Sequence, residues 1–152
     1  MIRLMELKDI DAVLQLENML FSHPWNREAY VYELTQNPFA SYWVVEEDRS
    51  PIAYIGSWLS GDQAQITTLG VDPHFQGNGY AKRLIETILD LCNQEGIPVI
   101  SLEVRVTNHK AIRLYEHLGF KNVARRSNYY SQPIEDAYLM ILERKTHETT
   151  RD

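Results

Sequence analysis

Residues 76–81, Gln76-Gly77-Asn78-Gly79-Tyr80-Ala81, follow the apolar run ITTLGVDP and precede a long amphipathic stretch, AKRLIETILDLCNQE. A strand, a tight glycine turn and a helix in that order aim several backbone N–H groups at one point beside the positive end of a helix dipole. Such a point suits a phosphate or pyrophosphate. Glycines at 77 and 79 let an anion approach the backbone with no Cβ in the way. An ordinary glycine-rich turn has the same composition, and the residues alone leave both readings open. Glu103 lies in SLEVRVT, where alternation sets Leu102, Val104 and Val106 on one face and Ser101, Glu103 and Arg105 on the other. A carboxylate in a central strand needs a reason. It is either salt-bridged, to Arg105 or a neighbouring strand, or a general base in a cleft. Tyr115, in AIRLYEHLGF, shares a helical stripe with Ile112 and Leu118, which suits either core packing or a proton donor. Asn108, just before that helix, is placed as its N-cap.

Other chemistry finds no support. A dinucleotide fingerprint needs a third small residue where Lys82 stands, and a Walker A loop needs four residues between its glycines followed by Lys-Ser/Thr. His23, His74, His109, His117 and His147 show neither HExxH nor Cys/His spacing, so no metal is expected. There is no GxSxG elbow, and the single Cys92 falls on the apolar face of LIETILDLCNQEG as a small buried residue.

The elements that must position these groups follow from pattern. The chain has 152 residues, 44% of them hydrophobic and 24% charged, enough for one domain with its own core. That domain is expected over 1–145, with a polar tail at 146–152. MIRLME reads as a strand. Asp9 is placed to cap a helix over IDAVLQLENMLF, and Asn26 to cap REAYVYELTQ, which Asn37-Pro38 should end. SYWVVEED, PIAYIGSWLS and AQITTLGVD read as three strands, and the helix after Gly79 runs to a cap at Gly96. VISLEVRVT, a helix after Asn108, and the strands KNVARRSNYY and DAYLMILER complete an α+β order of about seven strands and four helices. Antiparallel hairpins come early, and one βαβ crossover lies in the middle.

Net charge is −6, unevenly spread: residues 1–50 hold nine acidic and four basic side chains, and residues 101–152 hold seven and nine. With no basic stripe, nucleic-acid binding is not expected. With neither a signal-type segment nor an apolar run of spanning length, no membrane role is expected, and the location is expected to be cytoplasmic.

GVDPHFQGNGYAKRLI, followed by LEVRVTNHKAIRLYEHLGF, resembles the GCN5-related N-acetyltransferase superfamily, whose signature is Gln/Arg-x-x-Gly-x-Gly/Ala. LEVRVTN and RSNYYSQPIEDAYLM look most like its bacterial RimI-type subfamily, which acetylates the N-terminal alanine of a small-subunit ribosomal protein. The resemblance implies a sheet splayed into a V between its fourth and fifth strands, with acetyl-CoA in the gap. Leu69, Gly70 and Val71 would hold the pantetheine arm. Gln76, Gly77, Asn78, Gly79, Tyr80, Ala81 and Lys82 would hold the pyrophosphate, and Asn108 would touch the cofactor as well. It further implies Glu103 as the base that takes a proton from the incoming α-ammonium, and Tyr115 as the acid for the leaving thiolate. Trp25, Tyr129, Tyr130, Glu135 and Asp136, in the loops FSHPWN and NYYSQPIED, are candidates for receiving a cationic peptide N-terminus. A lysine side chain or a small-molecule amine as acceptor, or a non-enzymatic acyl-CoA-binding module, would use the same glycine loop.

Overall fold

The computed structural model describes residues 1–131 and 133–144; the expected tail, with His147, lies outside them. The sheet has strands β1 (Ile2–Leu4), β2 (Ala40–Glu47), β3 (Ser50–Ser60), β4 (Gln63–Val71), β5 (Val99–Arg105), β6 (Lys121–Tyr130) and β7 (Glu135–Glu143), in the spatial order 1-2-3-4-5-7-6. Helices α1 (Ile10–Leu20), α2 (Arg27–Thr35), α3 (Tyr80–Glu95) and α4 (His109–His117) complete the expected α+β architecture. The crossover through α3 makes β4 and β5 the one parallel pair among the described strands, and every other pairing is antiparallel.

That parallel seam is short. It joins Gln63 to Val99, Ala64 to Ile100 and Gln65 to Ser101, and past these pairs the two strands part. Close to the parting, β4 carries a bulge: Gly56 faces Thr68 while Ser57 faces Ile66, so Thr67 is an extra residue. A bulge bends its strand and re-aims the side chains around it. Thr67 and Thr68 consequently line the same cleft.

Two cores sandwich the sheet. On one side Leu84, Ile85 and Ile88 of α3 are fully buried against Ala53, Ile55 and Ile100, each such side chain contributing roughly 1.5–3 kcal/mol. On the other, Ile10 and Val13 of α1 and Tyr30 of α2 pack on Tyr42, Val44 and Tyr54. Tyr42 lies across Gly56 and Tyr54 across Gly70, their partners on the next strand. A Cβ at Gly56 would come within 2.4 Å of the Tyr42 ring, and one at Gly70 within 2.6 Å of the Tyr54 ring, so both positions need glycine for this close approach.

The expected caps form at Asn26, whose Oδ1 accepts from the Ala29 N–H at 2.8 Å, and at Asn108, which accepts from the Ala111 N–H at 3.3 Å. Gly96 ends α3 in the left-handed region, with φ 71°. Cys92 is wholly buried, and burial pushes its thiol up to about 11, as suits an inert core residue. Among the described residues no helix is long and apolar enough to cross a membrane.

Asp9 corrects the sequence reading. Its side chain caps nothing in α1; it accepts two 2.8 Å bonds from the Arg3 guanidinium and one from the Glu6 N–H. A buried carboxylate is better satisfied by a guanidinium fork than by one amide. Burial acts to raise the Asp9 carboxyl, but Arg3 and the Glu6 amide together hold it below its ordinary value. Because the folded state depresses this carboxyl, the pair stabilises above the ordinary Asp range and loses that contribution as pH falls through the folded value. Asp9→Asn should cost about 1.5–3 kcal/mol at neutral pH, since Arg3 loses the fork but keeps Glu46 at 2.6 Å, and should flatten the acid limb of a plot of Tm against pH.

Candidate active site

The parting of β4 and β5 opens two adjoining cavities that share Leu20, Phe21, Leu69, Asn108 and Tyr115 in their walls. The smaller, about 450 Å3, is lined by Leu69, Gly70 and Val71 from the free edge of β4 and by Gln76, Gly77, Gly79, Tyr80, Ala81 and Lys82 from the glycine turn and the start of α3. Amides in the first turn of a helix have no helical acceptor, so this wall offers N–H donors at the positive end of the α3 dipole. Asn78 is the one expected member that does not line the cavity. Its Nδ2 donates to the Phe75 carbonyl at 2.9 Å, while Gln76 Nε2 donates to the Val71 carbonyl at 3.1 Å, so both side chains brace the turn.

Gly77 and Gly79 hold φ of +84° and +82°, and a Cβ at either would meet open space. Their requirement is therefore conformational: an L side chain there costs roughly 1–2 kcal/mol and swings the donors off their common point. For the acetyl-CoA that the sequence resemblance implies here, Gly79→Val should weaken binding at least about tenfold while Leu69→Ala changes it little, because the resemblance gives Leu69 a backbone contact. Titration calorimetry of the two variants checks this.

The larger cavity, about 790 Å3, is lined by Glu103, Tyr115, Trp25, Tyr129, Tyr130 and Glu135, among others. Glu103 is both ion-paired and part of the cleft wall. Its side chain is 11% exposed and faces this cleft, yet its Oε2 lies 3.1 Å from Nε of Arg126. Gln65 Nε2 donates to its other oxygen at 3.2 Å. Arg105, the nearer candidate in sequence, instead pairs with Glu135 at 3.1 Å and stacks on the Tyr130 ring at 4.3 Å. Since the Arg126 side chain is 50% exposed, solvent screens the ion pair and the carboxylate stays available.

Tyr115 packs its buried ring against Phe120, with centroids 5.9 Å apart. A core tyrosine normally finds one hydroxyl partner. Among the described residues the Tyr115 hydroxyl has no hydrogen bond, and no fully buried side-chain oxygen or nitrogen lacks one, so this hydroxyl opens to the cleft. Burial pushes it up to about 12, so it carries its proton at neutral pH.

The two acids that open β7 are already engaged. Glu135 accepts from the Thr107 hydroxyl, the Thr107 N–H and Arg105, and the Thr107 hydroxyl does most to hold its carboxyl below the ordinary range. Asp136 accepts from the Asn128 N–H at 2.8 Å and Arg125 Nε at 2.7 Å, and it does not line the cleft. Glu135 thereby ties the start of β7 to Arg105 and to the segment after β5, and Asp136 ties it to β6, the strand that carries Tyr129 and Tyr130. Among the described residues no group of His, Cys, Asp or Glu converges to hold a metal.

Sequence reasoning missed Glu17. It is 1% exposed, yet it belongs to the lining of the larger cavity. A signal existed: Glu17 follows Val13 by four residues and Ile10 by seven, which places a carboxylate on the apolar face of α1. Thr67 and Thr68 also escaped notice, because a bulge has no local signature in this strand.

A sheet split at the one parallel seam among its described strands has a glycine turn and helix start on one side of the gap and Glu103 and Tyr115 lining a shared cavity, which offers a site for a phosphate-bearing ligand beside a carboxylate and a hydroxyl. Residues 10–120 match the acetyltransferase (GNAT) family, and the chain belongs to that family. It is 38% identical over 139 residues, 91% of this chain and 92% of the relative, to a Bacillus subtilis protein provisionally named a ribosomal protein bS18-alanine N-acetyltransferase. The crystal structure of the ribosomal-protein-S18-alanine N-acetyltransferase from Escherichia coli superposes with a TM-score of 0.87 at 28% identity, covering 96% of this chain and 94% of that one. The NatC complex bound to Gag peptide and CoA contains a chain that superposes with a TM-score of 0.82 at 26% identity, covering 94% and 97%.

Proposed function

We propose that this acetyltransferase moves the acetyl group of acetyl-CoA to a free protein N-terminal α-amine, with the N-terminal alanine of a small-subunit ribosomal protein as acceptor. The observation that carries the mechanism is the junction of the two cavities at Tyr115, with Glu103 facing the larger one. The names of the Bacillus and Escherichia relatives support the acceptor. The CoA held by the NatC complex supports the cosubstrate, and the chemistry of the smaller cavity agrees: backbone donors at a helix start for phosphates, and a free strand edge for an amide-bearing arm.

The residues then divide the work. An α-ammonium of pKa about 7.7–8.0 is mostly protonated at neutral pH and has no lone pair to attack a thioester. Glu103 takes its proton, directly or through a water, and attracts the cation beforehand. The neutral amine attacks the thioester carbonyl carbon and the C–S bond breaks as the amide forms; Tyr115 gives its proton to the departing thiolate, and the second proton that the nitrogen sheds returns through water to Tyr115. Both reactants are bound at once, one in each cavity, so attack is direct and no acyl-enzyme is needed.

Release of free CoA thiol, followed with a thiol reagent, tests this reading. A basic peptide beginning with alanine should support release, and the same peptide with an acetylated N-terminus should not. Equal release with the blocked peptide would move the acceptor to a lysine side chain.

A further inference from the structure

We propose that Glu17 is a positioning residue for the acceptor: its buried carboxylate fastens the loop between α1 and α2 to the splayed half of β4, fixing the acceptor wall of the cleft. This rests on the reading of the larger cavity as the acceptor site. Four donors converge on the carboxylate. Oε1 accepts from the Trp25 N–H at 2.9 Å, and Oε2 accepts from the hydroxyls of Tyr54 at 2.5 Å, Thr68 at 3.1 Å and Tyr30 at 3.2 Å. None of these four is a cation, so the group does not serve an ion pair, and a buried charge held only by neutral donors is costly unless its acceptors are used fully.

The identity of the donors shows what is joined. Trp25 belongs to the loop, Thr68 to β4 just past its bulge, and Tyr54 reaches the carboxylate by lying across Gly70. A carboxylate accepts at both oxygens, whereas a glutamine would turn an NH2 toward either the Trp25 amide or the hydroxyls. The fastened loop carries Phe21, His23 and Trp25 into the cleft wall, and Trp25 is further braced on Tyr30 with ring centroids 5.0 Å apart. The wall is thus set before the peptide arrives, and the bound peptide need not order it.

Glu17→Gln tests this, alongside Thr68→Val, which cuts only the β4 end of the tether, and Tyr54→Phe, which removes a donor from β3 and leaves the loop attached. All are assayed below their Tm, with hydrogen exchange followed over residues 21–26. Glu17→Gln should raise KM for an N-terminal alanine peptide about tenfold or more, keep KM for acetyl-CoA within about twofold, and speed exchange in the loop. Thr68→Val should do the same to a smaller degree, and Tyr54→Phe should lower Tm with peptide KM unchanged. A Glu17→Gln variant whose only defect is a lower Tm, or whose two KM values rise together, overturns the proposal; if it does not fold, Thr68→Val decides on the same criteria. Should the wild-type protein acetylate no N-terminal peptide, the functional reading fails, and loop exchange still decides whether Glu17 fastens the loop.

Discussion

Glu103→Gln should lower kcat/KM for a free N-terminal peptide by about 10²–10³ at pH 7, within the range that a positioned general base contributes. The amide keeps the shape of the carboxylate and can still accept from Gln65 Nε2, so the β5 wall is preserved. Arg126 loses its ion-pair partner, but at 50% exposure it is resolvated, and the stability change should stay below about 1 kcal/mol. Acetyl-CoA affinity should be untouched, since Glu103 lines the larger cavity and not the smaller. The pH dependence gives a second handle. The variant depends on amine that has lost its proton unaided, so its deficit should shrink as pH rises past the α-amine value of about 8. A deficit that stays constant across that range would mean that Glu103 holds the site's shape and moves no proton.

Tyr115→Phe should be the other large kinetic loss, about 10²-fold or more in kcat with KM for acetyl-CoA nearly unchanged. The expectation comes from what the hydroxyl lacks. Among the described residues it has no hydrogen-bond partner, so its removal strands no donor or acceptor in the core, while the ring keeps its packing on Phe120. Stability should therefore move by less than about 1 kcal/mol. With its hydroxyl pushed up to about 12, Tyr115 is protonated throughout the working range and can serve as a general acid. A variant that loses stability and retains kcat would return Tyr115 to the core.

Glu103 and the glycine turn were legible because their signals are local. A carboxylate alternating with valines and leucines, and glycines between a strand and a helix, state their conflict with ordinary packing within a few residues. Asn26, Asn108 and Gly96 were readable for the same reason, each acting on its own helix end. Arg126 was not. It meets Glu103 by reaching across β7, which lies between β5 and β6, a strand order that no nearest-neighbour pattern announces. Asp9 looked like a cap because caps are local, and Arg3, brought alongside by β1, outcompeted the helix for its oxygens. Glu17 was hidden by its own stripe: the apolar periodicity of α1 reads correctly, and the one residue that breaks it draws its partners from α2, β3, β4 and a loop.

The most direct test of the account is mass-spectrometric mapping of the acetyl group on one basic peptide that carries both a free N-terminal alanine and an internal lysine, incubated with the protein and acetyl-CoA. The account predicts a single acetyl on the α-amine, absent on the same time scale with Glu103→Gln. Acetyl on the lysine side chain, or equal labelling by the Glu103→Gln variant, would contradict it.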